Sequence, residues 1–371
     1  MKDFTLLFPN RVYFGNDSLE SLKNAPIKGR RGLIITGKNS AKKSGLLDRV
    51  KKIIKHTGRE VFIFDDVEPE VSVETVDKVA DLARRYKTDF FVGLGGGSAI
   101  DCAKAVSGIY KDRLSVKSYL DSKIPLRRDT GFLIAIPTTS GTGTESTKNA
   151  VLTYTQKKIK ISLRGDSLVP SIVVMDPELT YTLSNEITAY TGMDALTHAV
   201  ESYFSSNANE ITEILSLKAM SLIIDNIELA CNKPNDKARY DMMLGSFTAG
   251  LAFANSGLGA VHGIGHPVGA VLKLPHGFVN AVLLPHILKF NLSAIEGKML
   301  QLNKATGLDI MKVIKNLNKR MGIPKKLSGV YKGAENKLEE IMERVEYTGS
   351  MAYNPVKMND KKVRQVLKGA L

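Results

Sequence analysis

The sequence is short of several things, and each shortage narrows what the chain is. Only two cysteines, Cys102 and Cys231, occur in 371 residues. Both stand in apolar helical contexts away from metal-ligand or redox spacing, which excludes a disulfide framework and predicts buried packing for each. No run of 18 or more apolar residues is present, so composition marks no membrane span. The opening, Met1 to Phe14, lacks a secretory apolar region and a small-residue cleavage site, and a cytoplasmic location is expected.

Acidic residues are the minority charge, 38 Asp plus Glu against 52 Lys plus Arg, for a formal net charge of +14. An excess of that size raises nucleic acid and anionic membranes as partners. The distribution speaks against both. Basic residues come in short pairs such as Lys42-Lys43, Lys51-Lys52 and Arg84-Arg85, with no basic tail and no aromatic interleaving. They are expected to solvate the surface, leaving small molecules as partners.

What is present describes an ordinary globular chain, 43% hydrophobic and 24% charged. Its length exceeds what one core usually organises, so two domains are expected. From Gly32 to Asp176, short β-branched runs alternate with helical periodicity. Strands are predicted at Leu33–Thr36, Val61–Phe64, Phe90–Leu94, Phe132–Ile136 and Ile172–Met175, with helices near Leu46–His56, Val73–Tyr86 and Ala99–Ile109. Near-continuous apolar strands separated by helices imply a parallel, Rossmann-like sheet covered on both faces. After Pro177 the pattern is helical throughout, as in Ile187–Phe204, Ile211–Ile227 and Asp236–Ala254. A boundary near 178–185 gives an α/β domain at 1–180 and an all-α domain at 181–371.

Two loops in the first half carry chemistry. The strand ending at Leu94 runs into Gly95-Gly96-Gly97-Ser98 and then a helix bearing Asp101 and Lys104. Glycines let a backbone approach phosphates, and the exposed amides of a helix start attract them. The bland alternative is a simple tight turn. The second loop, Pro137 to Glu145, also follows an apolar strand and contains Thr138, Thr139, Ser140, Thr142 and Thr144, more hydroxyl donors than a connection needs. Both loops would gather at the carboxyl edge of the sheet, where open α/β folds bind nucleotides. The first strand ends in Thr36-Gly37-Lys38-Asn39-Ser40, followed by Lys42 and Lys43, with no acidic residue in the segment to hold a ribose 2′-hydroxyl. NADP(H) is therefore expected over NAD(H), with Gly37, Lys38, Asn39 and Ser40 at the discriminating position.

Five of the six histidines lie between 198 and 286. Asp194 and His198 stand at i and i+4, on one face of a helix. His262 and His276 follow in Val-His-Gly-Ile-Gly-His-Pro and Leu-Pro-His-Gly-Phe. One carboxylate and three imidazoles suit a divalent first-row cation, Fe2+ or Zn2+, and the glycines beside two of the histidines would allow close packing around a compact site. His266, four residues from His262, competes for a ligand role, whereas His286 and His56 read as structural and surface residues.

The motifs GGGSAIDCAK at 95–104, PTTSGTGTE at 137–145, GMDALTHAVE at 192–201 and GLGAVHGIGHPVGA at 257–270 resemble the iron-containing alcohol dehydrogenase family, and the likeness runs from Pro9 to Pro355. The resemblance implies a dehydroquinate synthase-like architecture and a homodimer or larger assembly. It puts the metal ligands on Asp194, His198, His262 and His276, with His266 as a proton relay. It puts the pyrophosphate on Gly95, Gly96, Gly97 and Ser98, and further nucleotide contacts on Thr138, Thr139 and Lys160. Gly37 stands where members that use NAD often carry an acid, and Lys357 where an Arg is frequent. The activity implied is hydride transfer between NADP(H) or NAD(H) and a small primary alcohol, diol or aldehyde. A hydroxyacid-oxoacid transhydrogenase, a dehydroquinate synthase-like lyase and a non-catalytic binding protein are the rivals.

Overall fold

The computed structural model describes residues 3–371. Two compact units are present, one Leu7–Thr182 and the other Leu183–Leu371 together with residues 3–6.

The first unit is built on eight strands: β1 (Arg11–Phe14), β2 (Arg31–Gly37), β3 (Glu60–Val67), β4 (Phe90–Gly95), β5 (Phe132–Pro137), β6 (Asn149–Tyr154), β7 (Ile159–Arg164) and β8 (Ile172–Met175). Six of them form one parallel sheet in the order β1-β8-β5-β4-β2-β3. Alternate residues of β2, β3, β4 and β5 enter two separate cores, and β8 adds to one of them. Leu33, Ile35, Phe91 and Leu133 pack on one side, and Ile34, Val92, Ile134 and Val174 on the other. Burial on both faces explains why the strands read as continuous apolar runs. Phe90 and Phe91, both fully buried, contribute roughly 1.5–3 kcal/mol each by leaving water.

The connections position the loops. Chain order runs outward from β2 to β3 and then reverses to β4, β5 and β8, so the sheet's topological switch point lies between β2 and β4. Ligands of open α/β sheets bind beyond the carboxyl ends of the strands at such a point, because the crossover helices diverge there. The residues leaving β2 and β4 are Lys38 and Gly96, the two segments singled out from the sequence.

The sheet differs from the sequence expectation in two ways. A short edge strand, β1, pairs with β8 through Arg11–Phe14, too few residues to show a period. An antiparallel hairpin, β6–β7, stands outside the main sheet and turns at Lys158, which adopts φ 54°. Its second strand, Ile-Lys-Ile-Ser-Leu-Arg, is largely half-exposed and carries two cations, which masks it in a search for buried strands.

The second unit is helical, and no strand occurs in it among the described residues. Three long helices, Asn185–Phe204, Glu210–Asn232 and Asp236–Ser256, precede a shorter one at Ala260–Leu272 and a 31-residue helix at His276–Thr306. The last is the one helix among the described residues long and apolar enough to cross a membrane, yet most of its apolar stretch is packed inside this unit. Each of the three long helices starts at a side-chain cap, on Ser184, Asn209 and Asn235 respectively, which satisfies amides that have no intrahelical partner. Both cysteines are free and buried, Cys102 in the α/β unit and Cys231 here.

Candidate active site

The glycine turn of the α/β unit is fixed by backbone geometry. Gly95 closes β4 with φ 142°, a conformation that side chains with a Cβ rarely adopt. The following helix, Gly97–Ile109, has Gly96 at its N-cap and no side chain capping its amides, which leaves donors at the positive end of the helix dipole. A Cβ on Gly97 would stand 2.9 Å from Thr142 Cγ2, so the turn and the hydroxyl-rich loop touch. Thr138 N donates to Gly95 O at 3.0 Å, and Thr139 lies against Gly96.

Lys104, fully buried, binds the two segments together. Its Nζ donates to Thr144 O at 2.7 Å and Thr147 Oγ1 at 2.8 Å, while the Thr144 hydroxyl donates to Asp101. Burial lowers the ammonium to about 8 and raises the Asp101 carboxyl to about 6 and the Glu145 carboxyl to about 7. This bracing was not read from the sequence, although the i, i+3 spacing of Asp101 and Lys104 on an otherwise apolar helix was a visible signal.

Lys160 reaches the same turn through one intermediary. Its Nζ pairs with Glu70 at 2.6 Å, and Glu70 N donates to Ser98 Oγ at 2.9 Å. Lys38 and Lys42 meet partners that the local sequence does not contain. Lys38 pairs with Asp66 at 3.0 Å and Lys42 with Asp65 at 2.6 Å, both acids at the end of the neighbouring strand β3. Asn39 opens the one-turn helix Ser40–Lys43 without a side-chain cap. Gly37 lies beside Val67 O, where the β2–β3 register shifts.

In the helical unit, Asp194 lies on helix Asn185–Phe204, His262 on helix Ala260–Leu272 and His276 at the first position of helix His276–Thr306. Their ligand atoms all lie within 4.8 Å of one another. His262 Nε2 is 3.6 Å and His276 Nε2 3.9 Å from Asp194 Oδ1. Donors about 2 Å from a shared tetrahedral cation would stand about 3.4 Å apart, so modest contraction closes this set on one ion. Close approach of the helices depends on glycine: a Cβ on Gly277 would fall 2.1 Å from Tyr190 O and 3.1 Å from Asp194 Cβ.

His198 takes a different place from the other three. Its ring stacks on His262, centroids 4.5 Å apart, and on Phe253 at 4.4 Å. It is buried on the Asp194 helix and acts on the Asp194 charge. His266, half-buried, stacks on His276 at 4.8 Å and meets His262 edge-on at 6.4 Å. His286 packs elsewhere, with Nε2 2.8 Å from Lys325 O, and His56 is exposed with Nδ1 2.8 Å from Lys52 O.

Electrostatics favour a positive charge within this cluster. Burial opposes ionisation of Asp194, and His198, His276 and His262 more than offset it, holding the carboxyl well below the usual carboxylate range. Burial likewise opposes a charged His262, but hydrogen bonds with Asp194 and Glu201 push the imidazole up to about 9. Asn280 and Glu201 complete the surroundings. Asn280 Nδ2 donates to Asp194 Oδ1 at 2.8 Å and faces His276 Nε2 at 3.0 Å and His262 Nε2 at 3.2 Å, while its buried Oδ1 has no hydrogen-bond partner. Glu201 Oε2 lies 2.6 Å from His262 Nδ1. The sequence reading gave neither residue a role; the i+4 spacing of Asn280 from His276 and the i+3 spacing of Glu201 from His198 were the available signals.

A buried carboxylate with converging imidazoles is a donor set suited to a divalent cation. In the other unit, a glycine turn at an uncapped helix start suits a pyrophosphate.

Comparison with known proteins agrees. Residues 9–177 match the family model described as iron-containing alcohol dehydrogenase, and residues 188–371 match its C-terminal counterpart, the Fe-containing alcohol dehydrogenase family, C-terminal. An NADPH-dependent butanol dehydrogenase of Clostridium saccharobutylicum is 36% identical over 99% of this chain and 97% of its own length. The crystal structure of a 1,3-propanediol oxidoreductase superposes with a TM-score of 0.92 at 32% identity, covering 100% of both chains. A sulfoacetaldehyde reductase of Bifidobacterium kashiwanohense, solved in complex with NAD+, gives a TM-score of 0.92 at 27% identity, covering 100% of this chain and 99% of the other. With the motifs, the sheet topology and both matched halves in agreement, the chain belongs to the iron-containing alcohol dehydrogenase family and is a metal-dependent alcohol dehydrogenase.

Proposed function

We propose that the chain interconverts a small primary alcohol or diol and the corresponding aldehyde, with a divalent cation held by Asp194, His198, His262 and His276 and with NADP(H) preferred over NAD(H). The observation that carries the reading is the convergence of Asp194, His262 and His276, from three separate helices, to within 4.8 Å of one another. Fe2+ suits the carboxylate and imidazole donors, and Zn2+ is accepted by the same set. When bound, the cation supplies Lewis-acid polarisation of the substrate oxygen, and the nicotinamide supplies the hydride acceptor or donor.

The chain's own residues do the rest. Gly95, Gly96, Gly97 and Ser98 present backbone amides and a hydroxyl to the pyrophosphate, with Thr138, Thr139 and Thr142 on the adjoining loop. Lys104 and Asp101 hold that loop in place from behind. Lys160, joined to the turn through Glu70, adds positive charge beside it. His266, half-buried against His276, is placed to move a proton at a ring nitrogen between the interior and solvent. Phe253, packed on His198, and the buried Leu258 supply apolar surface that excludes water. For the cofactor, Lys38 and Lys42 are the cations a 2′-phosphate would draw away from Asp66 and Asp65, and the NADPH-dependent butanol dehydrogenase among the relatives points the same way.

The test is an assay of C2 to C6 alcohols, diols and aldehydes with each nucleotide, before and after metal stripping and reloading with Fe2+ or Zn2+. Turnover that appears on loading and favours NADPH is expected. Turnover indifferent to chelation sinks the metal reading, and a tenfold preference for NADH sinks the cofactor assignment.

A further inference from the structure

Glu201 lies on the Asp194 helix, three residues beyond His198, and is 7% exposed. Its two oxygens do different things. Oε1 accepts the backbone N–H of Val261 at 2.7 Å, and Oε2 accepts from Nδ1 of the next residue, His262, at 2.6 Å. Helix Ala260–Leu272 begins after Gly259, which has no side chain to cap it, so its first amides are satisfied from elsewhere in the chain. Asn354 Oδ1 takes Ala260 N at 3.1 Å and Glu201 takes Val261 N. Gly259 makes this approach possible, since a Cβ there would stand 2.7 Å from Glu201 Oε1 and 3.2 Å from Asn354 Oδ1.

We infer that Glu201 is the positioning residue for His262: by taking the Nδ1 proton and the first turn of the same helix together, it fixes His262 in the tautomer and direction that offer Nε2 to a cation. The inference rests on the proposed metal site and adds a residue to its outer support. The Glu201 oxygen accepts, so the ring nitrogen facing it carries a hydrogen, and the opposite nitrogen is the one that a cation takes by displacing a proton. That opposite nitrogen is 3.6 Å from Asp194 Oδ1, and Asn280 Nδ2, a donor only, faces it at 3.2 Å. Such outer carboxylates orient ligating histidines and raise their basicity.

The deciding experiment compares Zn2+ affinity, by chelator competition on the full chain, with thermal stability of the metal-free protein. Glu201→Gln retains an oxygen for Val261 N but presents an amide that need not accept from Nδ1. It is expected to weaken Zn2+ binding roughly 10- to 100-fold, with little change in the metal-free Tm. Asn354→Ala removes the other half of the same cap without touching the ring, and is expected to lower Tm while leaving Zn2+ affinity within about threefold, well short of an outer-carboxylate loss. Parent-like Zn2+ affinity in Glu201→Gln, or equal weakening in Asn354→Ala, overturns the inference, because Glu201 would then be a helix cap alone. If Glu201→Gln does not fold, the histidine tautomers of the Zn2+-loaded parent decide by nitrogen-15 NMR: hydrogen on Nδ1 of His262 supports the assignment and hydrogen on Nε2 overturns it. A parent protein that binds no Zn2+ defeats the metal reading itself, a result distinct from any of these.

Discussion

Lys104 Nζ donates to Thr147 Oγ1 at 2.8 Å, joining the helix after the glycine turn to the loop after β5. The contact is wholly buried and spans 43 positions, so the ammonium acts as a bolt between the glycine turn's helix and the hydroxyl-rich loop. Lys104→Met fills similar volume but leaves Thr144 O and Thr147 Oγ1 without their donor. A loss of about 1–3 kcal/mol in stability is expected from the unsatisfied groups. The nucleotide KM should rise while metal content stays at the parent level, as measured by thermal unfolding, kinetics and metal analysis.

Glu145 offers a pH test within the same cluster. Burial raises its carboxyl to about 7 from the ordinary 4.5, so between these values the folded chain holds a proton that the unfolded chain has released. The associated stability is fully present below 4.5 and is lost as pH rises through 7. Glu145→Gln cannot titrate. Its Tm is expected to vary less than the parent's between pH 4.5 and 7, and to compare most favourably with the parent above pH 7; identical Tm profiles would remove Glu145 as the source.

Asp194 is the one carboxylate in the converging set, so Asp194→Asn removes charge while keeping shape. Metal affinity is expected to fall more than about 100-fold, beyond the loss typical of an outer partner. Metal content after dialysis and activity after reloading measure it. A stoichiometric ion in the purified variant would count against the assignment.

Lys38 and Lys42 are exposed and paired with Asp66 and Asp65. Surface pairs of this kind contribute about 0–1 kcal/mol, so a 2′-phosphate can recruit both lysines at small cost. Replacing both with Ala is expected to raise the KM for NADPH about tenfold, the worth of one charge-assisted contact, and to leave that for NADH nearly unchanged. Equal changes for both nucleotides would show that the lysines do not read the 2′-position.

Gly277 tests the packing that brings the helices of Asp194 and His276 together. A Cβ there would meet Tyr190 O at 2.1 Å, and backbone cannot yield as a flexible side chain does. Gly277→Ala is expected to cost at least about 1–3 kcal/mol from overpacking and to displace His276 from its partners. Lower Tm with weakened metal retention is the expected pair of results.

Much of the fold was legible because its signals are local. The apolar runs at Leu33, Phe90 and Phe132 and the periodicity after Pro177 follow from which faces each element buries. The hairpin β6–β7 escaped because neither strand is a buried run, and β1 because four residues show no period.

At the site, the sequence by itself determined which chemistries were available. The order of strand, glycine turn and helix, the i, i+4 placement of Asp194 and His198, and the histidines at 262, 266 and 276 are properties of the chain as written. Tertiary structure alone decided who meets whom. It set His198 as a stacked ring beside the trio of Asp194, His262 and His276, and gave Lys38 and Lys42 acidic partners from β3 where their own segment has none. It also put Glu201 against a ring 61 positions away. Hydrogen bonds and charge pairing act through space over a few ångströms, and the spacing of residues along a polymer constrains those distances only within a single helix or strand.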